Sequence, residues 1–413
     1  MALGAALFAR FGRGAVMTGK GLLVYLCNAV DEGIRAQRQI VTDSPAATNK
    51  VFAIAGAIQQ AGLRCVILSL GRGRQNGKGS WHPAVFRRSS SSKVLYCSFL
   101  HLPLLTHVVT AWSLTVAVVR LAWHRPNVTL LSYNRAYHYI PALVVARLLQ
   151  IRSCLDLEDG YIVEGRGGIR HLKNALTRSL FSWLCPHGSM VANTGLAGQL
   201  DRPPAMVCHG VASATKEPCQ DWNSRRLQVL FSGTLLEDVG CKLLLAALEI
   251  LRRQHPDVKH EMHFVVTGKG PFVEAFRGLA AQAPEWLSFG ESLGRTAYLE
   301  VLNSSHVGLS LRLADYEMGA TTFPSKVVEY AEHGLLVLTT RASDVPMLFG
   351  EEALYLEEES ARALAALLSS LPGLRRSLRN TAIRGRERVL NACAPEVVGQ
   401  GIRRLLVRNG HGK

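Results

Sequence analysis

From GLLVYL at residues 21–26 onward the chain alternates short apolar runs with longer helical patterns, and few folds satisfy that rhythm. A run that is apolar on both faces suits a strand in the middle of a sheet. The helix after it returns the chain to the same edge, so successive strands run parallel under helices. In the N-terminal half the pattern predicts strands near 21–26, 63–69, 94–98, 128–133, 152–157 and 189–193, with helices near 47–61, 103–123, 138–149 and 168–184. RGRQNGKGS (72–80) and RRSSSSK (87–93) read as basic, solvated loops, with clamping of an acidic acceptor as the alternative. Residues 198–226, richer in Pro, Asp and polar residues, interrupt the series. It then resumes with LQVLFSG (227–233), HFVVTGKG (263–270), WLSFG (286–290) and HVGLSL (306–311), separated by helices from Lys242 to Arg253, after Pro271 and around 295–303. The expected organisation is a first domain at 1–200, a linker at 201–226, a second domain at 227–372 and an arginine-rich helical tail at 373–413 that crosses back to the first domain.

The series ends in EMGATTFPSKVVEYAEHGLLVLTT, residues 317–340. Pro324 suits a first helical turn and Gly334 the stop after the last. Val327, Val328 and Ala331 can then face a core, LLVLTT reads as a central parallel strand, and Ser325, Lys326 and Glu329 are left for solvent or ligand. A lysine in a first turn opposes the helix dipole, which makes Lys326 easier to understand beside an anion such as a diphosphate. Glu329, one turn on, could accept from sugar or ribose hydroxyls; a solvated Lys–Glu pair is the alternative.

Composition narrows the partners. A chain of 413 residues with 48% hydrophobic content can bury two domains. A net charge of +16 and a pI near 9.7 favour acidic partners: nucleic acid, anionic lipid or phosphorylated substrates. The basic loops lack the aromatic interleaving of a nucleic-acid platform, so nucleic acid is not expected. Nine scattered cysteines without a C-x-x-C point to reduced thiols in a cytosol rather than disulfides or zinc. The opening MALGAALFARFGRGAVMTGK is broken by Arg10, Arg13 and Lys20 and lacks the continuous apolar core of a signal peptide. Leu102 to Trp123 approaches the length of a membrane span but carries His107 and hydroxyls, and is expected to be a buried core helix, with an interfacial helix as the alternative.

Several motifs sit where strands turn into helices, the place at which open α/β sheets bind ligands. SGT (232–234) and TGKG (267–270) offer Gly233, Thr234, Gly268 and Gly270, beside which a phosphate or sugar can approach the backbone. Neither is a Walker loop, and NAVDEGIRAQRQ stands where a G-x-G-x-x-G would follow the first strand. Arg312, after HVGLSL, and Lys326 form a pair of cations able to stabilise a leaving diphosphate; a salt bridge from Arg312 to Asp315 or Glu317 is the alternative. DLEDG (156–160) gathers Asp156, Glu158 and Asp159, and a carboxylate there could orient an acceptor hydroxyl or take its proton. No second acidic cluster suggests a metal site. His209, in VCHGV, is expected to be structural.

Together these pieces resemble the family-4 retaining glycosyltransferases of GT-B fold, in particular bacterial enzymes of exopolysaccharide and cell-surface glycan synthesis. The likeness rests on SPAATNK (44–50), NVTLLSYN (127–134) and LDLEDGY (155–161) in the first domain, and on LFSGTLLEDVG, VVTGKGP and above all FPSKVVEYAEHGLLVLTT in the second. It implies two Rossmann-like doubly wound domains facing across a cleft. By the resemblance Glu329 is the second glutamate of a Glu–seven residues–Glu motif and holds the donor's ribose. Thr321 occupies the first glutamate's place, and Glu317, earlier on the loop, is the acidic residue that could substitute for it. The family's Arg and Lys after the first donor-domain strand are missing, so charge neutralisation falls to Arg312, Lys326 or Lys242.

The resulting expectation is a retaining transferase that moves a sugar from a nucleoside-diphosphate sugar to a glycan or lipid-linked glycan, with no metal or cofactor. Glu317, Arg312, Lys326 and Asp159 are its expected catalytic residues. Gly233, Thr234, Lys242, Gly268, Gly270, Ser325, Lys326 and Glu329 are expected at the donor, and Glu158 and Asp159 at the acceptor. The basic surplus points to a cytoplasmic protein peripheral on an anionic inner leaflet. A sugar-nucleotide epimerase or hydrolase, and a silent nucleotide-binding subunit, are the rival expectations.

Overall fold

The structure, a computed structural model, describes residues 21–41, 43–73, 79–89, 92–102, 105–125, 127–160, 169–214, 217–314 and 321–407. Its N-terminal strands are β1 (Leu22–Cys27), β2 (Arg64–Ser69), β3 (Trp81–His82), β4 (Val85–Ser89), β5 (Ser92–Tyr96), β6 (Phe99–Leu100), β7 (Val128–Tyr133), β8 (Arg152–Leu157), β9 (Ser189–Val191) and β10 (Met206–Val207). Eight of them form one sheet in the order β10-β9-β8-β7-β1-β2-β5-β4, while β3 and β6 pair separately and antiparallel. β1 and β7 lie side by side in mid-sheet, where the winding reverses. The carboxyl ends of these two strands therefore open a crevice.

Three expectations need correction here. Residues 87–93 are no free loop: Val85–Ser89 runs antiparallel to Ser92–Tyr96, in register from Val85↔Tyr96 to Ser89↔Ser92. The run of serines hid an edge strand, whose exposed side can carry Arg and Lys without burying charge. A helix at Glu32–Arg38 went unpredicted, although Asp31 caps it by accepting from the Ile34 N–H. β10 falls within the expected linker and closes one edge of the first sheet. Of the loop at 72–80, residues 74–78 lie outside the described residues.

The second domain contains β11 (Leu227–Thr234), β12 (Met262–Lys269), β13 (Leu287–Gly290), β14 (Val307–Ser310), β15 (Leu336–Thr339) and β16 (Leu354–Tyr355). They are all parallel, in the order β13-β12-β11-β14-β15-β16. This is a doubly wound sheet whose switch point falls between β11 and β14. The strands expected around 227–340 are all present. Gly334, at φ 83°, ends the helix Lys326–Glu332 and lets the chain turn into β15, all four residues of which are buried.

The tail does cross back. The helix Arg375–Cys393 packs on the Lys326–Glu332 helix and β15, and the helix Pro395–Val407 packs on Pro45–Gln60 of the first domain. Val398, Ile402 and Leu405 are buried there among Val51, Ile54 and Ile58. Gly399 permits the close approach: a Cβ on it would lie 2.2 Å from the Ala57 carbonyl oxygen and 2.9 Å from the Ala61 methyl. The Gly399→Leu variant should therefore lose about 1–3 kcal/mol of stability through overpacking, seen as a lower denaturation midpoint in urea. An unchanged midpoint would show that the two helices do not interlock at this position.

Candidate active site

The residues expected at the donor gather near the carboxyl ends of β11, β12 and β14. Gly233 and Gly268, paired across β11 and β12, both have positive φ, 135° and 155°. A Cβ on Gly268 would lie 1.9 Å from the Gly233 carbonyl oxygen, and one on Gly270 would lie 2.3 Å from that of Leu235. Both glycines are thus demanded by the nesting of one turn against the other. Gly233 differs, because the nearest neighbour of a Cβ there would be Lys326 Cε at 3.8 Å. Its turn leaves open space beside the lysine.

Lys326 is the hub of a polar network. Its Nζ donates to Glu329 Oε2 at 2.5 Å and to the Tyr298 hydroxyl at 2.8 Å, and sits 4.7 Å from the centre of the Tyr298 ring. The Tyr298 hydroxyl in turn donates to Glu329 Oε2 at 3.0 Å and meets Ser232 Oγ at 3.0 Å. Tyr330 reaches the same serine, at 3.0 Å. Burial, with the Glu329 carboxylate next, holds the Tyr298 phenol well above its ordinary range, so it stays a neutral donor. Ser325 is exposed at the start of the helix and Thr234 at the end of β11.

The structure separates the remaining expected cations. Arg312 follows β14 and donates through Nη1 to Asp238 Oδ2 at 3.0 Å; Asp315, an alternative partner by sequence, lies outside the described residues. Its Nε is buried without a partner among the described residues, as are the hydroxyls of Thr321 and Thr322. Lys242 lies apart: its side chain is 76% exposed and 3.6 Å from Glu237, a surface pair. Glu317 lies outside the described residues.

In the first domain the three DLEDG carboxylates, two of them expected at the acceptor, take different surroundings. Asp156 is buried and accepts the Tyr25 hydroxyl; burial, then Glu158, raises its pKa to about 7 against the pull of Lys50. Glu158 is ion-paired with Lys50, which makes it more a structural anchor than the free acceptor ligand expected of it. Asp159 is exposed; Asn134 Nδ2 donates to it at 3.2 Å, while Asn134 Oδ1 accepts the N–H groups of Glu158 and Asp159. The protein atoms that crowd the Asp159 carboxylate displace part of its water and, with Glu158 next, raise its pKa even though the residue reaches solvent, and Arg312 of the other domain is near enough to pull it down. The loops touch directly, for a Cβ on Gly160 would lie 2.6 Å from Thr321 Cβ. Asp159 and Arg312 thus approach each other across the boundary between the domains.

Sequence reasoning missed Tyr298, Ser232, Lys50 and Asn134. Nothing in the sequence marks Tyr298, which arrives from the helix Arg295–Ser304 on the other side of β14. Lys50 and Asn134 end SPAATNK and NVTLLSYN; Asn134 was visible as a polar residue at a strand end, whereas Lys50 lies inside the helix Pro45–Gln60. Beside Asn134 opens a cavity of about 330 Å³, lined by Asn28, Arg72, His107, Tyr137 and His138 among others. Among the described residues no cluster of three or more His, Cys, Asp or Glu could hold a metal ion.

Residues 226–372 match the protein-family model for Glycosyl transferases group 1. No curated protein matches the chain by sequence. Solved structures match it over nearly its whole length. With Anabaena HepE in complex with UDP the TM-score is 0.64 at 11% identity, covering 94% of this chain and 100% of that one. TarM gives 0.64 at 9% identity, covering 94% and 99%. The α,α-trehalose 6-phosphate synthase of Burkholderia multivorans gives 0.59 at 13%, covering 94% and 97%. The expected GT-B fold and the glycosyltransferase resemblance are borne out, and with that domain the chain is a transferase enzyme.

Asp156 generates a pH dependence. Its folded pKa, about 7, exceeds its ordinary 3.8, so the folded protein holds this proton more tightly than the unfolded chain. The group favours folding most below about pH 3.8, and that contribution is lost as pH rises through about 7. Urea titrations at pH 5.5 and 8 should show the Asp156→Asn variant losing about 1–2 kcal/mol less stability than wild type over this interval. Equal losses would mean that Asp156 is ionised throughout.

Proposed function

We propose, with the group 1 glycosyltransferase domain at residues 226–372 as premise, that the chain transfers a sugar with retention from a nucleoside-diphosphate sugar to a glycan or lipid-linked glycan. The observation that carries this reading is the Lys326 network set against the open Gly233 turn at the switch point of the second sheet. Lys326 commits two of its three N–H donors within the network, and the third suits a phosphate oxygen. The UDP present with HepE supports a uridine nucleotide as the donor's base.

In this scheme the bond from the sugar's anomeric carbon to the diphosphate oxygen breaks with its electron pair staying on that oxygen, while the acceptor oxygen bonds to the same carbon from the same side and its proton passes to the departing diphosphate. Lys326 and Arg312 offset the charge that develops on the leaving diphosphate, the interaction that most lowers such a barrier. Arg312, already turned toward the cleft by Asp238, has its buried Nε free of described partners. Glu329 accepts from the ribose hydroxyls, and its anchoring by Lys326 and Tyr298 fixes it for that purpose. Asp159 orients the acceptor hydroxyl, held by Asn134. The two domains exclude water when both substrates are bound. Assembly of surface polysaccharide at an inner leaflet is the setting this reading proposes.

The Lys326→Ala variant should lose on the order of 10²–10³ in turnover while keeping its unfolding midpoint, read by release of nucleoside diphosphate with donor and acceptor together. Undiminished transfer would remove Lys326 from the mechanism. Nucleotide release without any acceptor would favour a hydrolase or epimerase. Absence of release with every UDP- and GDP-sugar, despite a thermal shift with UDP, would make the chain a binding subunit.

A further inference from the structure

One side of the N-terminal sheet is covered by the helices Leu105–Trp123, Ile140–Leu148 and Ile169–Leu184, packed edge to edge. Their inner faces supply Leu114, Val118, Leu121, Leu143, Phe181 and Leu184 to the core. Their outer faces are apolar too. On the first helix Leu105, Val108, Trp112 and Trp123 recur at helical spacing and are exposed, Trp112 by 70% and Trp123 by 84%. On the third, Leu172, Leu176, Leu180 and Trp183 do the same, Leu176 by 62% and Trp183 by 51%. Leu148 and Leu149 continue the surface between them. The first helix is thus not the buried core helix expected from sequence; only 33% of its most apolar window is buried. Nor can it cross a bilayer in this fold, because one face is packed on the sheet.

An apolar patch of this extent on a soluble fold marks an interaction site. Its charge selects the partner. None of the three helices carries an Asp or Glu, whereas Arg120, Arg147 and Lys173 are exposed, and Arg178 pairs with Asp201 from outside the layer. A second copy would bring the same cations against these, so self-association on this face is disfavoured. Tryptophan is the residue that settles at the boundary between headgroups and acyl chains, and Trp183 lies under the Arg147 guanidinium, 5.5 Å from its ring centre.

We infer that this three-helix face docks the first domain on an anionic bilayer, with Trp112, Trp123, Leu176 and Trp183 entering the interface and Arg120, Arg147 and Lys173 meeting lipid phosphates. The inference rests in part on the proposed function, for it supplies the acceptor class. The 330 Å³ cavity beside Asn134 is lined by His107 from the same helix as Trp112, so a lipid-linked acceptor lying in the membrane has a short path to Asp159.

The test uses the full-length chain and sedimentation with vesicles of phosphatidylcholine, alone or with 30% phosphatidylglycerol, a share of anionic lipid of about the size that attracts basic surfaces. Binding is expected only with the anionic lipid, and the combined Trp112→Glu, Leu176→Glu and Trp183→Glu variant should partition at least about tenfold less. The UDP-induced thermal shift of that variant should match wild type, which shows that it folds and separates failure of docking from failure of the donor reading. Binding to anionic vesicles that high salt removes and the three substitutions leave unchanged would overturn the proposal, since charge alone would then suffice. So would a full-length chain that ignores the vesicles, whether a second copy or another segment covers the face. Concentration-dependent self-association that the same variant abolishes would reassign the face to a homo-oligomer.

Discussion

The cleft depends on one carboxylate. Asp344, just before the helix Val345–Phe349 of the second domain, is buried and accepts from the Thr194 N–H at 2.7 Å and the Thr194 hydroxyl at 2.5 Å, both in the first domain. His209 Nε2 lies 3.0 Å from the same group, and the His209 ring packs at a 36° tilt against Phe323, 4.7 Å between centres. Phe323 leads through Pro324 and Ser325 into Lys326. The expectation that His209 is structural is therefore met in an informative way: the histidine braces the loop that delivers the lysine. A buried carboxylate tolerates this position because three donors replace its water.

Around that clasp the seam between domains is apolar. Phe323, Val327 and Val328 of the second domain share a continuous buried cluster with Leu196 and Ala212 of the first. Gly210 lies over Val328, where even an added Cβ would stay at ordinary contact distance, 3.4 Å from Cγ1. The tail helix Arg375–Cys393 adds Arg386, whose Nε donates to the Glu332 carbonyl, and Ser213 N–H donates to the Glu332 carboxylate. Candidate site residues on the two sheets are thus held by packing that belongs to neither sheet alone.

Legibility followed how local each signal was. Strands β1, β7, β8, β11 and β12 were predicted within a residue or two because burial on both faces writes an uninterrupted apolar run. Val85–Ser89 was missed because an edge strand obeys no such rule, and β10 because two residues leave no pattern. Lys326 and Glu329 were named from their spacing and their capped helix. Tyr298 and Ser232, which complete their network, sit 28 and 94 residues earlier than Lys326, a separation across which no periodicity speaks. Glycines told a mixed story: Gly233 opens onto Lys326, whereas Gly268 and Gly270 answer to backbone packing.

By itself the sequence determined the two α/β halves, the helical tail and the chemistry available at strand ends, because hydrophobic period and turn residues act over a few neighbours. Only the tertiary structure decided which of those groups meet. It paired Arg312 with Asp238 and Glu158 with Lys50, left Asp159 exposed in the cleft and set Lys242 apart on the surface. It also turned the most apolar helix half outward. A helix apolar all round has the same sequence whether its second face meets a core or a solvent boundary, and that choice belongs to the number of layers packed on the sheet.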